Sequence, residues 1–168
     1  MATEIERKFL LASDAWRAEV ERSQRMEQGY LTRTGRGACT PACSVRVRIA
    51  DDLAWLNIKS AIAGVERLEY EYAIPVADAE QMLGEFCDGV VGKIRHYVPH
   101  GERTFEIDEF LGGNAGLIVA ELELKAVNER FEHPLWLGRE VSDKLRYYNL
   151  HLLAHPYSCW SAPEREGE

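Results

Sequence analysis

Ionisable residues spaced two apart recur along the 168-residue chain. They are Glu4, Glu6 and Lys8; Arg46 and Arg48; Lys59, two after Asn57; Arg67, Glu69 and Glu71; Lys93 and Arg95; Glu106 and Asp108; Glu121 and Glu123. A spacing of two puts such side chains on one face of a β-strand, because successive Cβ atoms alternate sides. Like charges on one face repel unless something of opposite sign lies between them. Arg and Lys suit phosphoryl oxygens, and paired carboxylates suit hard divalent cations such as Mg2+ or Mn2+. A face built this way serves a polyphosphate that travels with metal ions.

The intervening positions are largely apolar: Ile5 and Phe9; Val45, Val47 and Ile49; Leu56 and Ile58; Phe105 and Ile107; Leu122 and Leu124, with Arg7 and His96 as exceptions. On any single strand this is the pattern of an ordinary half-solvated sheet. Across the series the polar face is nearly all ionisable, which an ordinary solvated face has no reason to be.

The elements that must position these residues are many short strands. Alternation marks 3–12, 28–34, 44–50, 53–60, 65–75, 91–99, 102–111 and 117–126, punctuated by turn chemistry such as Asp51-Asp52, His100-Gly101 and Gly112-Gly113-Asn114. Helices are expected from Ser13 to about Arg25, from Ala77 to about Phe86, and within 135–155 after Pro134. Trp16, Val20, Met82, Leu83 and Phe86 sit at helical spacing and read as packing on the outside of the sheet. The fold class is α+β: a closed eight-stranded antiparallel β-barrel with helices packed outside and a C-terminal helix. About eight strands is the size at which a barrel interior is filled or holds one small ligand. One domain is expected over 1–155, with 156–168 as a frayed tail.

Composition narrows the partners. With 20 Lys plus Arg against 28 Asp plus Glu, the net charge is −8, which argues against a generic nucleic-acid binder. No apolar run is long enough for a membrane helix and the N-terminus lacks a secretory segment, so a cytoplasmic protein is expected. The apolar outer side of the strands needs cover from helices or from a second subunit in a homodimer. Cys39 and Cys43 with His151 and His155 imitate a zinc set, but about a hundred residues separate the pairs, and free thiols are the better reading. Gly89 to Lys93 and Gly35-Arg36-Gly37 lack the spacing of nucleotide-binding loops.

The opening Glu4-Ile5-Glu6-Arg7-Lys8 resembles the Glu-x-Glu-x-Lys signature of the CYTH superfamily, the triphosphate tunnel metalloenzymes. The supporting series covers most of the chain: Gln28-Gly29-Tyr30-Leu31, Arg46-Val47-Arg48, Asn57-Ile58-Lys59, Glu69-Tyr70-Glu71, Lys93-Ile94-Arg95, Glu106-Ile107-Asp108, Glu121-Leu122-Glu123, then Gly138-Arg139-Glu140-Val141 with Tyr147 and Asn149.

The resemblance implies a barrel whose interior is a hydrophilic tunnel and a metal-dependent hydrolysis of linear triphosphates, inorganic tripolyphosphate first. Thiamine or nucleoside triphosphates, cyclisation of ATP, and a non-enzymatic polyphosphate-binding module are the alternatives. Carried over by position, Lys8, Arg46, Arg48, Lys59, Lys93 and Arg95 bind the triphosphate. Glu4, Glu6, Glu121 and Glu123 hold Mg2+ or Mn2+. Glu4, Glu6, Lys8 and Glu71 are the catalytic set; Arg67, Glu69, Glu106 and Asp108 share the face. The helix expected at one tunnel end adds Lys144 or Arg146.

Overall fold

The computed structural model describes residues 5–32, 43–60 and 69–167. Among the described residues there are nine antiparallel strands: β1 (Ile5–Leu11), β2 (Arg22–Tyr30), β3 (Cys43–Ala50), β4 (Leu53–Ser60), β5 (Glu69–Ile74), β6 (Val90–His100), β7 (Arg103–Phe110), β8 (Ile118–Leu124) and β9 (Leu137–Glu140). Helices are few and short: α1 (Val76–Glu85), α2 (Asn149–Ala154) and α3 (Ala162–Arg165). None of the described helices is long and apolar enough to cross a membrane.

The expected closed eight-stranded barrel is corrected on both counts. Among the described residues the sheet has nine strands and is open, with β5 and β9 as its end strands. β9 pairs with β1 through Phe9↔Glu140 and Leu11↔Leu137, while β8 occupies the other edge of β1. A closed ring would need β9 or β1 to pair with β5, and no such pairing joins the described strands. At four residues, β9 is too short to show alternation.

The described residues fall into two compact units. One contains 26–90; the other contains 5–25 and 91–167. In the first unit β5, β4, β3 and β2 lie side by side, and α1 packs Ala79 and Leu83 on Val47 and Ala54. The expectation of a helix near 77–86 is met, although Phe86 is 61% exposed. In the second unit the order is β6-β7-β8-β1-β9. Phe9, Trp16, Phe105, Ile107, Leu122 and Trp136 form the core on one side of these strands.

One other helix expectation is corrected. From Ser13 to Arg25 there is only a 3-10 helix, Asp14–Glu19, capped by Ser13, and β2 begins at Arg22. Val20 is already extended, and the Glu21 N–H donates to Tyr97 O at 2.9 Å, so sheet pairing outcompetes a weakly periodic helix. The helix expected within 135–155 is present as α2, preceded by β9 and a 3-10 turn at Leu145–Tyr147. Residues 156–167 carry a second 3-10 turn and α3, and Trp160 is buried against Tyr147, Val91 and Val119.

The exceptions to the alternation find their roles here. The Arg7 guanidinium lies over the Phe9 and Phe131 rings and pairs with Glu140 on β9. His96 packs on Trp16 at 5.1 Å and meets Ser23 Oγ at 2.7 Å, so both residues belong to the outer side.

Candidate active site

In the second unit the charged residues share the face of β6, β7, β8 and β1 opposite the Phe105 core. Register aligns them: Glu106 stands across from Glu121, Lys8 across from Glu121, and Glu6 across from Glu123. The Lys8 ammonium donates to both Glu6 and Glu121. Arg95 donates from Nε and Nη2 to Asp108 Oδ1 and Oδ2, each at 2.7 Å, from Nη2 to Glu121 Oε2 at 2.5 Å, and from Nη1 to Glu106. Lys93 donates to Asp108. Lys8, Lys93, Asp108 and Glu121 are all at or below 5% exposure, so this is a ladder of alternating charge inside the protein.

The C-terminal segment explains the burial. Val91, Phe110 and Val119 continue the charged face at one end, and Val141, Tyr147, Leu152 and Trp160 cover them. Tyr148 places its ring 4.9 Å from Lys8 Nζ and donates its hydroxyl to Ser142 O at 2.9 Å.

Burial disfavours every charge in the ladder, and the neighbours decide the outcome. For Lys8 that cost is outweighed by Glu121 and Glu6, which hold the ammonium above its usual value. Burial and the adjacent Arg95 push Lys93 below it, against the pull of Asp108. Glu121 would rise on burial, but Lys8, Arg95 and Lys93 hold it well below the carboxylate range. Glu106 is lifted by burial, with Glu121 and Asp108 adding to the lift against Arg95.

In the first unit the corresponding residues are Arg46 and Arg48 on β3, Asn57 and Lys59 on β4, and Glu69 and Glu71 on β5. Arg48 Nη2 lies 3.0 Å from Glu71 Oε2, and Lys59 Nζ lies 3.2 Å from Glu69 Oε2. Asn57, fully buried, donates from Nδ2 to Glu69 Oε1 at 3.1 Å and to Glu71 Oε2 at 2.6 Å.

The predicted residues thus gather by unit: Glu6, Lys8, Lys93, Arg95, Glu106, Asp108, Glu121 and Glu123 in one, and Arg46, Arg48, Lys59, Glu69 and Glu71 in the other. Glu4, Arg67 and Cys39 lie outside the described residues. Lys144 is half-buried, and Arg146 lies over the Trp160 ring, 3.9 Å from Glu164. Sequence reading placed Asn57 on the charged face without giving it a role, and passed over Tyr148. Asn57 is the one neutral member of an otherwise ionisable set, and Tyr148 carries no spacing signal at all.

A divalent metal can be tested against the donors present. The second unit sets five carboxylates, Glu6, Glu106, Asp108, Glu121 and Glu123, against three cations, Lys8, Lys93 and Arg95. Glu6 and Glu123 are directly opposed across two strands, a repulsive placement that Lys8 offsets only on the Glu6 side. Carboxylate oxygens and this surplus of negative charge fit a hard divalent ion. Among the described residues no three His, Cys, Asp or Glu side chains already converge on one point, because Lys8 and Arg95 occupy both oxygens of Glu121. An open pocket of about 290 Å³, lined by Leu10, Ser13, Asp14, Tyr157 and Arg165 among others, involves none of the predicted site residues.

Comparison with known proteins agrees with the geometry. An inorganic triphosphatase of Acetivibrio thermocellus is 40% identical over 158 residues, 94% of this chain and 97% of that protein. An inorganic triphosphatase of Nitrosomonas europaea is 34% identical over 155 residues, 88% of this chain and 94% of that one. The crystal structure of the inorganic triphosphatase NE1496 superposes with a TM-score of 0.65 at 30% identity, covering 91% of this chain and 95% of that one. The CYTH domain model matches residues 2–157, and the chain belongs to that family.

Proposed function

We propose that this protein is a divalent-metal-dependent hydrolase that cleaves a phosphoanhydride bond of inorganic triphosphate, releasing pyrophosphate and phosphate. The observation that carries the reading is the buried ladder Lys8–Glu121–Arg95–Asp108–Lys93. Desolvated cations held only by carboxylates can exchange those partners for phosphoryl oxygens, and the carboxylates then become available to a metal. The names of the two curated relatives support the choice of substrate.

In the reaction a water oxygen bonds to the terminal phosphorus while the bridging P–O bond breaks, and the pyrophosphate oxygen leaves with the electron pair. Lys8, Lys93 and Arg95, with Arg46, Arg48 and Lys59, are assigned to the phosphoryl oxygens, where they offset the charge that accumulates on the leaving group. Glu4, Glu6 and Glu71 orient the water and take its proton. Glu4, Glu6, Glu121 and Glu123 would hold Mg2+ or Mn2+, which supplies Lewis-acid charge to the phosphates. Glu69, Glu106 and Asp108 keep the cations aimed while the site is empty of substrate.

The test is phosphate release from tripolyphosphate, ATP and thiamine triphosphate in Mg2+, in Mn2+ and in chelator. Release from tripolyphosphate that requires metal is the expected result. Tight tripolyphosphate binding with no hydrolysis of any of the three overturns the enzyme in favour of a binding module.

A further inference from the structure

Asn57 stands in the middle of a cross-strand row, with Arg46 opposite on β3 and Glu71 opposite on β5. It is completely buried, and its amide donates to Glu69 and Glu71. Carboxylates only accept hydrogen bonds, so Nδ2 must face them and the amide orientation is determined. Asn57 Oδ1 is left buried with no partner, and so is Arg46 Nε. Buried polar groups left unsatisfied in a folded protein call for an explanation, and a ligand is one.

The two orphans differ in sign. The Arg46 N–H is a donor and suits a phosphoryl oxygen. Asn57 Oδ1 is an acceptor, and an ionised phosphate has no hydrogen to offer it. Water has. Asn57 at 2.6 Å and Arg48 at 3.0 Å both donate to Glu71 Oε2, which leaves Oε1 to accept from a further donor. Resting on the hydrolase reading above, we infer that Asn57 is a positioning residue for the attacking water: its amide orients Glu71, and its Oδ1 accepts one hydrogen of the water whose other proton Glu71 Oε1 takes. The water's remaining lone pair then forms the bond to phosphorus as the bridging P–O bond breaks. A neutral amide suits this place, since a lysine there would donate to Glu71 but have no acceptor for the water, and a carboxylate would repel Glu69 and Glu71.

The test compares steady-state tripolyphosphate hydrolysis by the intact chain and its variants. Asn57→Ala is expected to lower kcat by about 10–100-fold, with KM within about twofold, because orientation acts on the chemical step and not on binding. Combined with Glu71→Gln, it should cost no more than about twofold beyond Glu71→Gln alone, since residues acting as one unit are non-additive. Asn57→Thr, a better strand former, replaces it if Asn57→Ala loses its cooperative melting transition. A raised KM at unchanged kcat, or losses that multiply with Glu71→Gln, overturns the inference while leaving the hydrolase intact. A wild-type chain inert toward tripolyphosphate overturns both.

Discussion

Glu121 and Glu123 stand two apart on β8 and share a face, yet their surroundings separate their roles. Glu121 is 5% exposed and accepts from Lys8 and Arg95. Glu123 is exposed, and none of the described residues pairs with it. Removing one partner of a buried ionic network leaves uncompensated charge, so Glu121→Gln should destabilise the fold by about 3–5 kcal/mol in a urea titration. Glu123→Gln should stay within about 0.5 kcal/mol of wild type and lose metal-dependent phosphate release. Full activity of Glu123→Gln at saturating Mg2+ contradicts its assignment. Sequence alternation placed both carboxylates on one face because the period of a strand is a backbone property. It could not rank them, because burial here comes from Tyr147, Tyr148 and Trp160, which lie far along the chain.

At the scale of elements, β9 is the addition that sequence reading missed. Its hold on β1 depends on close approach: a Cβ at Gly138 would sit 2.8 Å from Leu10 O and 3.1 Å from Ala12 N. Those are backbone atoms that cannot swing aside, so Gly138→Ala should cost about 1–3 kcal/mol in thermal unfolding. The Arg7–Glu140 pair crosses the same two strands, and the Arg7 hydrogen bond holds the Glu140 carboxyl below its ordinary value of 4.5. A carboxylate depressed on folding adds stability that is fully present above its unfolded pKa and is lost as pH falls through the folded one. Both side chains are about one-third exposed and screened, so Glu140→Gln should lower stability by less than about 1 kcal/mol at pH 7. The difference should vanish as pH drops below 4.5; a penalty that persists in acid would show that the pair works through packing. Residues 13–25 teach the complementary lesson. Ser13 does cap a helical turn, but the hydrogen bonds on offer from β6 override the local preference after Val20.

For the molecule as a whole, the net charge of −8 conceals an uneven distribution. On the candidate face, the described cations outnumber carboxylates in the unit containing 26–90, where Arg46, Arg48 and Lys59 meet Glu69 and Glu71. In the other unit five carboxylates outnumber Lys8, Lys93 and Arg95. Tripolyphosphate should therefore stabilise the protein little in chelator and strongly with Mg2+. At a hundred times Kd, mass action adds about 2.7 kcal/mol, or about 5–10 °C in Tm for a chain of this length. An equal shift in chelator would show that the carboxylates take no part in binding.

The amino-acid order by itself determined which residues alternate, seven of the nine strands with the end of β2, and the charged face they share. Those follow from a two-residue period and from turn residues, which are local. Only the tertiary structure decided that the sheet is open, that Lys8 and Lys93 are buried while Glu123 is not, and that Asn57 lies between Glu69 and Glu71 with an acceptor to spare. Each of these depends on partners brought together from distant parts of the chain, where desolvation and register, and not spacing, set the energies.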